Sequence, residues 1–163
     1  MKYAQIVPFE VCNGEGIGIS LFVQGCHFHC NGCFNEKLWD FNGGKEWNND
    51  IEKQFIELAG KPYIKRITIL GGEPLAKENY LNVRHLLQKL NEKYPNKKLW
   101  LYTGYTLDEI KETRELLRTI IYCDVLIDGR FQIDKKDVTL CFKGSSNQNI
   151  WKKENEEWIK EGN

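Results

Sequence analysis

The sequence has little that would carry it into a membrane or onto a polyanion. Its 163 residues hold 23 Lys and Arg against 23 Asp and Glu, a formal net charge of zero. No basic excess is available to neutralise a phosphate backbone, which argues against nucleic acid as a partner. No apolar run approaches the roughly 20 residues needed to span a bilayer. The start, Met1-Lys2-Tyr3-Ala4-Gln5, lacks the apolar core of a signal peptide. These absences predict a cytoplasmic chain with no membrane contact, in a compartment where thiols stay reduced. Histidine is scarce, three in all, and none stands in a convincing dyad with a carboxylate, so general acid–base catalysis finds no obvious pair. There is no internal repeat, linker or low-complexity run. Length and an ordinary 41% hydrophobic content predict one domain, residues 1–163, with enough material for a core.

What stands out is the cysteine. Three of the six fall within Gly25-Cys26-His27-Phe28-His29-Cys30-Asn31-Gly32-Cys33-Phe34-Asn35, spaced C-x3-C-x2-C. Such clustering argues against disulfides. Thiolates select iron–sulfur clusters, zinc or copper(I). A four-iron cluster normally takes four thiolates, so three nearby leave one iron free for a small molecule. The alternative is a closed zinc site completed by His27 or His29. Structural zinc usually shows a second C-x2-C half, which is missing here. Cys26, Cys30 and Cys33 are therefore expected to hold an open-site cluster. Gly32, without a Cβ, suits a close approach of backbone to a large cofactor. Phe34 either shields that cofactor or simply packs beneath the loop. His27 and His29 are expected behind the ligands or at the surface. Cys12 sits in a Gly-rich turn, whereas Cys123 and Cys141 lie in apolar runs where a free Cys is usually a small buried hydrophobe.

Hydrophobic patterning predicts strands over residues 3–11, 17–23, 64–70, 99–103, 120–127 and 138–142. Between them it predicts helices over 51–59, capped by Asn49 or Asp50, over 77–94, and from Leu107 onward behind a Thr106/Glu109 capping box. A helical turn or two is expected over 36–41, and a solvated helix in the charged tail with Trp151 and Trp158 on one stripe. Strands alternating with helices imply an α/β fold with a parallel sheet and helices outside. Too few units are present to close eight βα repeats, so the expectation is a partial (β/α) barrel. Nearly every strand ends in a polar or Gly-rich motif, and ligands of such sheets sit beyond the carboxyl ends of the strands. The motifs should therefore converge on one site.

Several of these motifs together resemble a known family. Asn13-Gly14-Glu15-Gly16, Ile19-Ser20-Leu21-Phe22-Val23-Gln24-Gly25-Cys26 and Gly32-Cys33-Phe34-Asn35 are similar to the activating proteins of anaerobic (class III) ribonucleotide reductase, in the radical S-adenosylmethionine (SAM) superfamily. The resemblance continues through Gly71-Gly72-Glu73-Pro74, Leu101-Tyr102-Thr103-Gly104-Tyr105, Asp128-Gly129-Arg130-Phe131 and Gly144-Ser145-Ser146-Asn147-Gln148. Gly18, Phe28 and Asn149 depart from the residues common there. The resemblance implies a [4Fe-4S] cluster whose open iron takes the amino and carboxylate groups of SAM. It implies that Gly71, Gly72 and Glu73 bind the SAM amino group, with glycine admitting the backbone and Glu73 adding a carboxylate. Thr103, Asp128, Ser145 and Asn147 would line the nucleoside or the partner's peptide, although each also reads as a turn or cap. The implied activity is an activase that makes a 5′-deoxyadenosyl radical and installs a glycyl radical on the large chain of the reductase. An external one-electron reductant such as flavodoxin would feed it.

Two other readings fit less well. One is another small radical SAM enzyme, such as an activase for pyruvate formate-lyase or a heterocycle modifier like 7-carboxy-7-deazaguanine synthase. The other is an electron carrier or a zinc-stabilised binding module.

Overall fold

The computed structural model describes residues 1–162. Its two most apolar runs become neighbouring strands. β2 (Gly18–Val23) and β4 (Arg66–Gly71) pair in parallel, with Ile19 opposite Ile67 and Leu21 opposite Ile69. β5 (Lys98–Tyr102) and β6 (Val125–Asp128) extend this parallel core. Antiparallel strands flank it: β1 (Lys2–Glu10) and β3 (Lys45–Glu46) on one side, β7 (Asn149–Glu154) and β8 (Glu157–Lys160) on the other. The result is a mixed α/β fold on one sheet, ordered β3-β1-β2-β4-β5-β6-β7-β8.

Period-two alternation sorts the two faces of the sheet. Ile19, Leu21, Ile67, Ile69, Leu99, Leu101 and Leu126 join the main core with residues of α1 (Asn49–Ala59), α2 (Tyr80–Lys93), α3 (Leu107–Glu112) and α4 (Arg114–Ile120). Trp100, Val125 and Ile127 turn to the opposite face, where they meet Ile150, Tyr102 and Phe142. Ser20, Arg66 and Thr68 lie on that second face too, fully buried.

Arg66 is the peg of a polar plug there. Its guanidinium pairs with Glu10 at 2.7 Å and donates to the backbone carbonyls of Glu10, Asn13, Glu15 and Gly16. One side chain thus gathers the whole Gly-rich turn. Burial alone would raise the Glu10 carboxyl, but hydrogen bonds from Arg66, Ser20 and the Asn13 N–H hold it below the ordinary carboxylate range. Gly18 has no side chain because the Arg66 guanidinium fills that space, and a Cβ would overlap it. Deleting one partner of such a pair typically costs about 3–5 kcal/mol, since the other charge is left buried alone.

Several sequence expectations are corrected. Asn48, not Asn49 or Asp50, caps α1, its side chain accepting the N–H groups of Asp50 and Ile51. α2 begins at Tyr80 rather than at 77, because the Asn79 amide is used elsewhere, donating to the carbonyls of Gln24 and Glu73 at 3.0 Å. Residues 120–124 end α4 and turn, so the strand expected from Ile120 starts only at Val125. Cys123 is nonetheless buried, whereas Cys141 is exposed. No strand forms over 138–142: Val138 is 85% exposed, and the Asp137 carboxylate folds back on the Thr139 N–H and hydroxyl to make a turn.

The tail is a hairpin rather than a helix. Asn155 and Glu156 both take positive φ, 48° and 67°, as a tight two-residue hairpin turn demands. Trp158 pairs across from Lys153, two residues from Trp151, so both indoles share one face by strand alternation and pack on the main core. Among the described residues no helix is long and apolar enough to cross a membrane.

Candidate active site

The parallel strands β2, β4, β5 and β6 all end at one cavity of about 360 Å³, within the size range of small-ligand sites. Segments following each strand wall it: Cys26, Cys30 and Cys33 after β2, Gly71 to Glu73 after β4, Thr103 and Gly104 after β5, and Gly129 to Phe131 after β6.

The cysteine loop is strapped to the turn after β4. Gly72 N–H donates to Val23 O at 2.9 Å, Glu73 N–H to Gly25 O at 2.7 Å, and the Asn35 amide to Gly71 O at 3.3 Å. Asn79 closes the strap from behind by holding Gln24 and Glu73. Gly71 sits at φ 114°, and a Cβ on Gly72 would overlap the backbone of Gly25. Both glycines are therefore required by contact between protein segments as well as by the cavity.

Glu73 is a second clamp. It is 1% exposed, and its carboxylate accepts from the Leu75 N–H (2.8 Å), the Thr103 hydroxyl (2.7 Å) and the Gly104 N–H (2.7 Å). Thr103 thus works on the wall as the partner of Glu73. Burial pushes the Glu73 carboxyl from 4.5 up to about 7, with those three donors pulling against it. A raised carboxyl pKa means the folded chain holds the proton more tightly than the unfolded one. Stability should then be greatest below about 4.5 as far as this group is concerned, and fall as pH rises through 7, by about 3 kcal/mol. Urea denaturation of the cluster-free protein between pH 5 and 8 tests this. Glu73→Gln should flatten the fall whatever its effect on overall stability; an equal slope in both proteins would assign the pH dependence to another group.

Of the residues singled out from the sequence, Cys26, Cys30, Cys33, Phe34, Gly71, Gly72, Glu73 and Thr103 line the cavity. Gly32, Asp128, Ser145 and Asn147 do not line it. Gly32, at φ 71°, lets Ile133 pack against the loop. Asp128 accepts from the Leu107 N–H and the Asn149 amide, at 2.7 and 2.8 Å, which gives the departure at Asn149 a local reason. Ser145 is fully buried and accepts the Gln132 N–H. Asn147 donates to the Arg130 carbonyl at 2.8 Å.

Other wall residues were not singled out. Arg130 is the cation on the wall, lying over the Phe28 ring at 4.5 Å, while Tyr105 meets the same ring edge-on at 4.8 Å. That sandwich accounts for Phe28. Tyr102 reaches the wall by alternation with Trp100 along β5, a signal available in the strand pattern. Gln148 folds back to accept from Gly144 and Ser145 and to donate to Gly129. Trp39 carries no such sequence signal. His27 and His29 are exposed; His27 bonds Glu78 at 2.9 Å and His29 stacks on Trp39.

The donor set fits an iron–sulfur cluster. Three thiols share one wall, and burial pushes Cys26 up to about 11 and raises Cys30 as well, so metal loading must displace their protons. A single zinc ion needs its thiolates gathered within about 2.3 Å of one point. Among the described residues no three His, Cys, Asp or Glu side chains are so gathered. A four-iron cluster instead takes one thiolate per iron, a wider spacing. Trp39 also lines the cavity, and its indole N–H is buried without an acceptor among the described residues.

Comparison with known proteins agrees. Residues 12–151 match the model of a family described as a 4Fe-4S single cluster domain. The chain is 39% identical over 154 residues to a protein of Pasteurella multocida (strain Pm70), covering 93% of this chain and 98% of the other. It is 40% identical over 153 residues to one of Haemophilus influenzae, covering 92% and 97%. It is 33% identical over 158 residues to one of Enterobacteria phage T4, covering 97% and 98%. All three relatives are named anaerobic ribonucleoside-triphosphate reductase-activating protein. With that match running through the cysteine loop and every wall of the cavity, the chain belongs to the anaerobic ribonucleoside-triphosphate reductase-activating protein family.

Proposed function

We propose that this chain is a radical SAM activase of an anaerobic ribonucleotide reductase, working as a single domain of the partial-barrel radical SAM type. The observation that carries this reading is the composition of one wall: three thiols at C-x3-C-x2-C stand beside one carboxylate, Glu73, and one guanidinium, Arg130. Thiolates suit a cluster, and an anion with a cation suits the two charged ends of an amino acid.

In this reading Cys26, Cys30 and Cys33 hold the [4Fe-4S] cluster. Bound in the cavity, cluster and SAM supply a one-electron cleavage that yields methionine and a 5′-deoxyadenosyl radical able to take a hydrogen atom from a backbone glycine of the reductase. The chain's own residues position and shield. Gly71 and Gly72 bring backbone close to the amino acid, Glu73 faces its ammonium and Arg130 its carboxylate. Phe34, 65% exposed at the rim, covers the nucleoside side together with Phe131, at 5.2 Å between ring centres. Below, Phe22, Leu70 and Tyr102 form a largely apolar floor over the Arg66 plug, which keeps water from the reacting atoms. An external one-electron donor such as flavodoxin supplies the electron, in the reducing cytoplasm.

A carbon radical attacks nearly any neighbouring C–H bond, so selectivity has to come from positioning. Slow SAM cleavage is expected from the chain alone, with faster cleavage when the reductase is added, giving methionine and 5′-deoxyadenosine in equal amounts. Product analysis by chromatography checks this. Full-speed turnover on a small heterocycle without a protein partner would instead place the chain among other small radical SAM enzymes.

A further inference from the structure

We propose that a second cavity, lined by β1 where its outer edge is unpaired, receives the glycine-bearing segment of the reductase as an added, extended strand. The inference rests on the activase reading above.

This cavity holds about 440 Å³ and lies between Ala4 and Gln5 of β1 and the stretch 33–38 that leaves the cysteine loop. Phe22, Cys33, Phe34 and Asn35 line it and also line the first cavity, so the two share a wall. Phe34 is the exposed member of that wall. A chain lying in the second cavity is therefore next to the place where a hydrogen atom is taken. The target of an activase is on another protein, so a segment of that protein has to come to this wall. Glycine has no side chain, which lets the backbone at the target lie close against Cys33 and Phe34. Ala4, Phe22 and Leu38 give the cavity apolar sides, suited to an uncharged stretch of peptide.

The edge of β1 supplies what recognises such a stretch. On its inner side β1 is held by β2, with Gln5 opposite Phe22, Ile6 opposite Leu21 and Val7 opposite Ser20. On its outer side β3 pairs with Lys2 and Tyr3 alone. From Ala4 onward the outer edge has no strand partner among the described residues. The register also shifts between Tyr3 and Gln5, which leaves Ala4 unmatched on β2. An open edge presents backbone N–H and C=O groups to any extended chain, and strand addition binds peptides through main-chain hydrogen bonds whatever their side chains. Pro8 has no N–H to offer, and a second register shift follows Val7. The usable edge is thus Ala4 to Val7, and it begins at the cavity. The opposite edge of the sheet, β8, is blunted by Glu157 and Lys160 and lines neither cavity.

The test is Gln5→Trp. Gln5 is exposed and lines the second cavity but not the first, so the larger side chain fills the groove and leaves the SAM site alone. Reconstituted variant should keep its iron and the slow SAM cleavage of the chain by itself. Its affinity for the full-length reductase should fall about tenfold, and the reductase should no longer speed SAM cleavage. Crosslinking gives a second readout that decides the matter even if the variant folds poorly. A photoreactive amino acid at position 5 should label the reductase chain around its target glycine, whereas the same group at position 159, on β8, should not. Wild-type affinity and stimulation in Gln5→Trp, or a position-5 label that misses the reductase or joins two copies of this chain, overturns the proposal. A wild-type chain that the reductase neither stimulates nor takes a glycyl radical from would overturn the activase reading instead.

Discussion

Replacing Cys26, Cys30 or Cys33 singly by Ala should reduce iron from about four per chain to near zero and abolish SAM cleavage. No other thiol can substitute. Cys12 and Cys141 are exposed, and Cys123 is buried in the turn after α4; none of the three lines the cavity. The remaining cysteines serve as controls with distinct outcomes. Cys123→Ser should keep its iron yet lose about 1–3 kcal/mol of stability, since burial leaves the new hydroxyl short of partners. Cys141→Ser, at the surface, should change neither. Iron analysis with ultraviolet–visible spectra of anaerobically reconstituted protein decides the matter. Four irons retained in Cys30→Ala, alongside iron lost in Cys12→Ser or Cys141→Ser, would move the site elsewhere.

Gly72→Val should be nearly as damaging, by a different route. Its new Cβ would run into the backbone of Gly25, one residue before Cys26. Backbone cannot step aside as a flexible side chain does, so the strap between the turn after β4 and the cysteine loop has to open. The hydrogen bonds Gly72 N–H to Val23 O and Glu73 N–H to Gly25 O are then lost or stretched. Overpacking of this kind costs about 1–3 kcal/mol or more, and here it falls on the segment that presents Cys26. The expected outcome is weakened iron retention together with loss of the SAM-induced change in the EPR spectrum of the reduced cluster. A variant that keeps full iron and loses only the SAM response would show that Gly72 serves the ligand alone. A variant unchanged in both would make the Gly-Gly turn an ordinary bend.

The contrast between these two variants shows what sequence could reveal. Spacing alone set Cys26, Cys30 and Cys33 apart, because a ligand set is written locally. The parallel core was legible for the same kind of reason: apolar-rich runs such as 17–23 and 64–70, interrupted only by Gly18, Ser20, Lys65, Arg66 and Thr68, are what strands covered on both faces require. Partnership at a distance was not. That Gly72 abuts Gly25, or that Glu73 takes donors from Thr103 and Gly104, depends on strands brought side by side from far apart in the chain. Asp128, Ser145 and Asn147 illustrate the limit from the other side. Asp128 ends β6, as expected for a cavity residue, while the motif of Ser145 and Asn147 leads into β7 instead of ending a strand; folding turns all three side chains onto neighbouring groups, and Arg130 and Gln148 from the same motifs reach the wall. The tail misled for a local reason. Charged residues bracketing Trp151 and Trp158 suit an exposed helix as well as a hairpin, and only the Asn155-Glu156 turn separates the two.

The sharpest test of the central claim is whether the radical ends on the partner. Reduced, reconstituted protein would be mixed without oxygen with SAM and an anaerobic ribonucleotide reductase, and the reductase chain then examined by EPR. The account expects a persistent glycyl doublet on that chain, absent when the target glycine is replaced by Ala although the two proteins still bind. Admission of oxygen should cut the reductase chain at that residue. SAM cleavage at the full partner-stimulated rate with no doublet, or a doublet that survives replacement of the glycine, would contradict it.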